Sequence, residues 1–112
     1  MADMAAKPQD NPVLKRFRAT LTEIYGDRVE RVVLFGSRAR GDAREDSDYD
    51  VAVFLRDYAP GTTTELYRLA DLSTAILADG GGFIHAMPYP AGSSNDPRMP
   101  LMYAIRTEGI DL

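Results

Sequence analysis

Two carboxylates, Asp48 and Asp50, stand at the head of an apolar run, "DYDVAVFL". Side chains alternate along a strand, so both aspartates point to one side and Tyr49 points to the other. Two like charges held that close repel unless a cation sits between them. Carboxylate oxygens suit Mg2+ or Mn2+, ions that keep part of their water and take further ligands from substrate phosphates. Such an ion offsets the repulsion and supplies Lewis-acid chemistry at a phosphoryl group. Asp48 and Asp50 are therefore the candidate catalytic and metal-binding pair.

A seat for the phosphate lies just upstream, where the run "RVVLF" ends in Gly36-Ser37. Glycine lets backbone come close to a ligand. Ser37 offers a hydroxyl at a point where a helical turn can begin, and the free N–H groups of such a turn attract anions. Arg38 and Arg40 add positive charge and share a side if the chain there is extended. Gly41 closes the turn. The segment is not a Walker loop, because no Gly-Lys-Ser/Thr occurs, and no Gly-x-Gly-x-x-Gly dinucleotide fingerprint occurs either.

The elements that must position these residues follow from hydrophobic spacing. Val13, Leu14, Phe17, Leu21, Ile24 and Tyr25 recur at helical intervals behind Asn11-Pro12, a cap followed by a first-turn proline, and Gly26 is the stop. "RVERVVLFG" reads as a strand buried on both faces toward its end, "SRARGDA" as a single helical turn, and "DSDYDVAVFL" as a second strand that pairs with the first. Local rules leave the relative direction of these two strands open. A threonine of "PGTTT" caps a helix marked by Leu66, Leu69, Ala70, Ser73, Ile76 and Leu77, which "ADGGG" ends. "FIHAMPY" reads as a third strand, "PYPAGSSNDPRMP" as an irregular loop, "LMYAIRTEG" as a last helix and "IDL" as an edge strand. The expected fold is α/β (α+β), a small mixed β-sheet with helices packed on it. Residues 1–10 are expected to be a flexible N-terminal tail, with one domain over 11–112.

Composition narrows the function classes. The chain has 112 residues, room for one core. It has no cysteine, which rules out disulfides and thiolate metal sites. No run approaches the roughly 18 apolar residues of a membrane span, and no signal peptide is evident, so a cytoplasmic protein is the expectation. The formal charge is −4, with ten basic and ten acidic residues up to position 56 and three and seven after it. Sequence-specific nucleic-acid binders usually carry a basic surplus, so direct nucleic-acid binding is not expected. The tyrosines Tyr49, Tyr58, Tyr67, Tyr89 and Tyr103 read as packing or surface residues. Met99, Met102 and Tyr103 beside the proline-rich loop could form an adaptable partner surface.

"GSRARGDAREDSDYD" resembles the GS-x10-D-x-D signature of the DNA polymerase β-like nucleotidyltransferase superfamily. The small size and the ending "IRTEGIDL" are similar to its minimal nucleotidyltransferase (MNT) branch, the MntA-type antitoxins. The signature covers about one eighth of the chain. The resemblance implies that Gly36 and Ser37 hold a nucleoside triphosphate and that Asp48 and Asp50 bind Mg2+. It implies transfer of AMP from ATP to a tyrosine of a HEPN ribonuclease toxin. Larger relatives add a domain to bind the acceptor, so an acceptor supplied by a partner fits this length. The superfamily's third carboxylate has no counterpart in "FIHAMPY", where the matching position is His85. His85 can serve as a general base but is a poor magnesium ligand, and Asp79 reaches the site only if its glycine loop folds back. Two other readings stand beside this one. The first is a weakly catalytic MNT-fold antitoxin acting by binding. The second is an aminoglycoside-type small-molecule nucleotidyltransferase whose pocket a homo- or hetero-oligomer completes.

Overall fold

The computed structural model describes residues 7–112, so residues 1–6 of the expected tail lie outside the described residues. Its remainder is not free of structure: Pro8–Asp10 form a 3-10 turn, and Gln9 Nε2 donates to the Asp111 carbonyl at 3.1 Å.

Helix α1 spans Pro12–Tyr25. Asn11 caps it, its side-chain oxygen accepting from the N–H groups of Val13 (2.8 Å) and Leu14 (3.3 Å), with proline in the first turn. Gly26 ends it at φ +55. Leu14, Phe17, Leu21 and Tyr25 are its buried stripe, while Ile24 turns out to be exposed. Strand β1 (Val29–Phe35), the turn α2 (Ser37–Arg40), strand β2 (Tyr49–Leu55), helix α3 (Thr64–Ala78), strand β3 (Ile84–Pro90), helix α4 (Pro100–Glu108) and strand β4 (Ile110–Asp111) follow.

The sheet order is β3-β2-β1-β4. β1 and β2 run antiparallel, from Phe35 opposite Asp50 to Val29 opposite Leu55, with a bulge between Val29 and Arg31. That settles the direction left open by the sequence. α3 carries the chain across so that β3 joins β2 in parallel, and β4 closes antiparallel on β1. Two apolar layers sandwich the sheet. Tyr49, Val51, Val53 and Leu55 of β2 face α1 and α3, and Ala52 and Phe54 face Met102 and Ile105 of α4. β2 is thus buried on both sides, which explains its unbroken apolar run. Each large side chain in these layers contributes roughly 1.5–3 kcal/mol through burial, before chain entropy is set against it.

Two local expectations need correction. Thr63 sits at the start of α3, but its side chain makes no capping bond; its φ of −106° and ψ of −8° are already near-helical, which aims the hydroxyl away from the N–H groups it would cap. The proline-rich loop begins later than expected, because Pro88, Tyr89 and Pro90 continue β3. β3 lies at the sheet edge, where a missing N–H costs no ladder bond. Among the described residues no helix is long and apolar enough to cross a membrane.

Candidate active site

Asp50 is the second residue of β2, with Phe35 opposite on one flank and His85 on the other. Tyr49 is buried on the α1 side, so alternation places Asp50, the next residue of β2, on the face that α4 packs against. Asp48 is exposed just before the strand and Asp50 is half-buried. His85 Nδ1 lies 3.6 Å from Asp50 Oδ1, the distance of an ion pair when the imidazole is protonated. β3 thus delivers the histidine to Asp50.

Gly36 meets Asp50 from the other flank. Its φ is +76°, a region that L side chains rarely adopt, and a Cβ added there would stand 2.6 Å from Asp50 Oδ2. Glycine is therefore required for both conformation and space. In the turn that follows, the Ala39 and Arg40 N–H groups donate to the Gly36 carbonyl and Gly41 N–H donates to the Ser37 carbonyl, each at 3.0 Å. The Ser37 and Arg38 N–H groups have no main-chain partner among the described residues.

The two arginines diverge. A helical turn places residues i and i+2 roughly 200° apart, so the shared side expected of an extended chain is lost. Arg38 turns inward. Its Nε and Nη2 donate to the Ser47 carbonyl at 3.1 and 2.8 Å, Nη2 also reaches the Glu45 carbonyl, and the guanidinium covers the Tyr49 ring at 4.4 Å. Asn11 Nδ2 in turn donates to the Tyr49 hydroxyl at 3.1 Å. Arg38 thus ties down the loop that presents Asp48. Arg40 turns outward, with Nε on Asp42 at 3.2 Å and Nη1 on Glu108 at 3.1 Å. The Asp42 hydrogen bond, foremost, raises the Arg40 pKa further.

Glu108, the last residue of α4, escaped the sequence reading. Its Oε1 accepts from the Gly36 N–H at 3.2 Å as well as from Arg40. A signal was present: a carboxylate in the last turn of a helix opposes the macrodipole, and its position asks for a partner. Asp79 stays outside the site and pairs with Arg16 at 2.7 Å. Of the expected partner surface, Met102 is fully buried in the core, whereas Tyr103 is exposed.

Asp48 and Asp50 supply hard oxygen donors two residues apart, a donor type that fits an octahedral cation that draws its other ligands from phosphate and water. Among the described residues no cluster of three or more His, Cys, Asp or Glu side chains is arranged to hold a metal. With Asp48 exposed and Asp50 only half-buried, the site meets solvent. A concavity of about 370 Å3 between α1 and Leu112 shares no residue with it, and one of about 210 Å3 between α3 and β3 touches it through His85.

Comparison with known proteins gives a consistent picture. Residues 14–79 match the nucleotidyltransferase domain family. Two Methanocaldococcus jannaschii proteins named as candidate protein adenylyltransferases are similar in sequence. MJ0141 is 42% identical over 45 residues, 40% of this chain and 46% of that protein. MJ0604 is 31% identical over 78 residues, 70% of this chain and 71% of that protein. The matched stretch thus spans less than half the length of MJ0141. Among solved structures, a toxin–antitoxin with AMP-PNP aligns at a TM-score of 0.60 and 18% identity, over 87% of this chain and 70% of that one. A candidate nucleotidyltransferase from Sulfolobus solfataricus aligns at 0.57 and 17% identity, over 88% of this chain and 75% of that one. At these identities the two structures establish the fold.

Proposed function

The chain belongs to the nucleotidyltransferase domain family, and we propose that it transfers AMP from ATP to a hydroxyl of a partner protein, a tyrosine of a HEPN-type ribonuclease toxin, acting in the cytoplasm as that toxin's antitoxin. One observation carries this reading: the carboxylate of Asp50 rests on Gly36 while His85 stands 3.6 Å from its other oxygen. A phosphate-binding turn, an acidic pair and a proton acceptor thereby converge at one end of the sheet.

In this reading Ser37, through its hydroxyl and N–H, and Arg40 hold the triphosphate, and Gly36 lets it approach the strand end. Arg38 acts one step back, fixing the Asp48 loop. Asp48 and Asp50 would hold Mg2+ or Mn2+, which when bound neutralises charge at the transferred phosphoryl group. The attacking tyrosine hydroxyl gives its proton to His85, its oxygen bonds to the α-phosphorus, and the bond to the β-phosphate oxygen breaks, releasing pyrophosphate. Asp50 keeps the imidazole oriented and stabilises the imidazolium that forms.

The test is the intact mass of a HEPN protein encoded beside this chain, co-expressed with wild type and with Asp48→Ala/Asp50→Ala. Mass gain of one AMP with wild type alone is expected, the variant being slower by at least about a hundredfold. An unmodified partner that both forms still silence would overturn the reading.

A second reading has its own support, because the third position of the acidic site is a histidine. There the chain silences its partner by binding, with weak catalysis or none, and Asp48→Ala leaves neutralisation intact. Adenylylation of a small hydroxylated acceptor, with no change in any protein's mass, would point instead to a small-molecule nucleotidyltransferase.

A further inference from the structure

We propose that Glu108 is a positioning residue for the phosphate-binding turn, acting through Arg40 and Gly36. The inference rests on the nucleotidyl-transfer reading and deepens it. One carboxylate oxygen, Oε1, gathers two donors from different points of the turn, the Gly36 N–H at 3.2 Å and Arg40 Nη1 at 3.1 Å. Asp42 holds Arg40 Nε at 3.2 Å. Two corners of the guanidinium fork are thus fixed, and Nη2, which has no partner among the described residues, is left to donate to a phosphate oxygen. The Gly36 N–H, already engaged, is not the phosphate donor; that task falls to the Ser37 and Arg38 N–H groups, the Ser37 hydroxyl and Arg40.

The anchor for this carboxylate is firm. Met102 and Ile105 are fully buried and press α4 onto Val33, Ala52 and Phe54. Immediately after Glu108, Gly109 N–H donates to the Ile105 carbonyl, and Ile110 pairs with Leu34 of β1. Both ends of the contact are therefore tied to β1, one through Gly36 and one through β4. The ion pair is partly exposed, with side-chain accessibilities of 46% for Arg40 and 26% for Glu108, so it adds little to stability. Its effect lies in orientation, which matters for a fork-shaped donor meeting phosphate.

Reach and charge can be separated. Gln keeps an acceptor oxygen at the same reach, whereas Asp keeps the charge but is one methylene too short to serve both donors. Binding of Mg·AMP-PNP by titration calorimetry is the readout, with folding checked by circular dichroism and urea midpoint. Glu108→Ala and Glu108→Asp are expected to weaken binding about tenfold, and Glu108→Gln to stay within about threefold of wild type. Arg40→Ala weakens binding by a similar factor, and adding Glu108→Ala to it costs less than the sum of the two single losses, because the Arg40 contact is shared while the Gly36 contact is not. Equal or tighter binding by the Asp and Ala variants would overturn the proposal, as would additive losses or a Gln variant as weak as Ala. If Glu108→Ala fails to fold, the Asp and Gln variants decide alone. Wild type that does not bind Mg·AMP-PNP would sink the nucleotidyl-transfer reading and this proposal with it, whereas wild-type binding that Glu108 variants leave unchanged would sink this proposal only.

Discussion

Gly36 is the residue on which the site turns, because the carboxylate of Asp50 occupies the space a side chain would need. Gly36→Ala is expected to cost about 1–3 kcal/mol of stability through the strained φ alone. It should also cut nucleotidyl transfer by at least about tenfold, because Asp50 must rotate away. Urea unfolding and a transfer assay on one preparation separate the two effects. His85 makes a different prediction. A group that accepts the proton of the attacking hydroxyl acts in the transition state, so His85→Ala lowers transfer by roughly 10²–10⁴ and leaves Mg·AMP-PNP binding unchanged. Loss of binding in that variant would instead assign His85 to nucleotide or metal. That Asp50 falls on the opposite face from Tyr49 was legible in the sequence because side-chain alternation is a local property of a strand. The divergence of Arg38 and Arg40 was not, because it depended on the turn being helical.

At the level of elements, the far end of the molecule carries a polar network that joins α1 to α3. Glu65, buried at 7% accessibility, accepts from the Tyr25 hydroxyl at 3.2 Å and pairs with Arg28 at 2.9 Å and Arg68 at 3.5 Å. Both guanidinium groups lie over the Tyr25 ring. Glu65→Ala leaves a buried phenol without its acceptor and Arg28 without its counter-charge, and is expected to destabilise by about 3 kcal/mol in urea denaturation. The same network gives a pH signature. Burial first, then the negative charge of Glu65, pushes the Tyr25 phenol up from 10.0 to about 12. Between these values the unfolded chain has released the proton that the folded chain keeps. The stability contribution is therefore whole below pH 10 and is lost as pH rises through about 12. Urea midpoints across that range should fall in wild type. In Tyr25→Phe, which has no proton to release, the alkaline fall from this group should vanish.

For the whole molecule, the sandwich sets where motion is possible. β2 has a strand on each side and helices over both faces, whereas β4 is two residues long and, among the described residues, pairs only with β1. Amide hydrogen exchange should be slowest across Val51–Leu55, approaching the free energy of global unfolding. Exchange at Ile110 and Asp111 should be faster by several orders of magnitude. Faster exchange in β2 than in β4 would contradict this layering. Asp50 sits at the start of the strand that is buried on both faces, so its position is backed by the core of the fold. His85 stands on β3, the edge strand of the sheet, and is exposed.

Local chemistry made a large part of this protein readable in advance. The Asn11-Pro12 start of α1 and the buried runs of β1 and β2 depend on residues within a turn or a strand of one another, and the spacing from Gly36-Ser37 to Asp48-x-Asp50 is itself a pattern of the sequence. The antiparallel course of β1 and β2 could not be read that way, because a connection as long as residues 36–48 permits either direction. Nor could the approach of Asp50 to Gly36, the placing of His85 opposite Asp50, or the arrival of Glu108 on the turn that follows β1. Those contacts form only when segments far apart in the chain pack on one sheet, and no spacing rule reaches from residue 36 to residue 108.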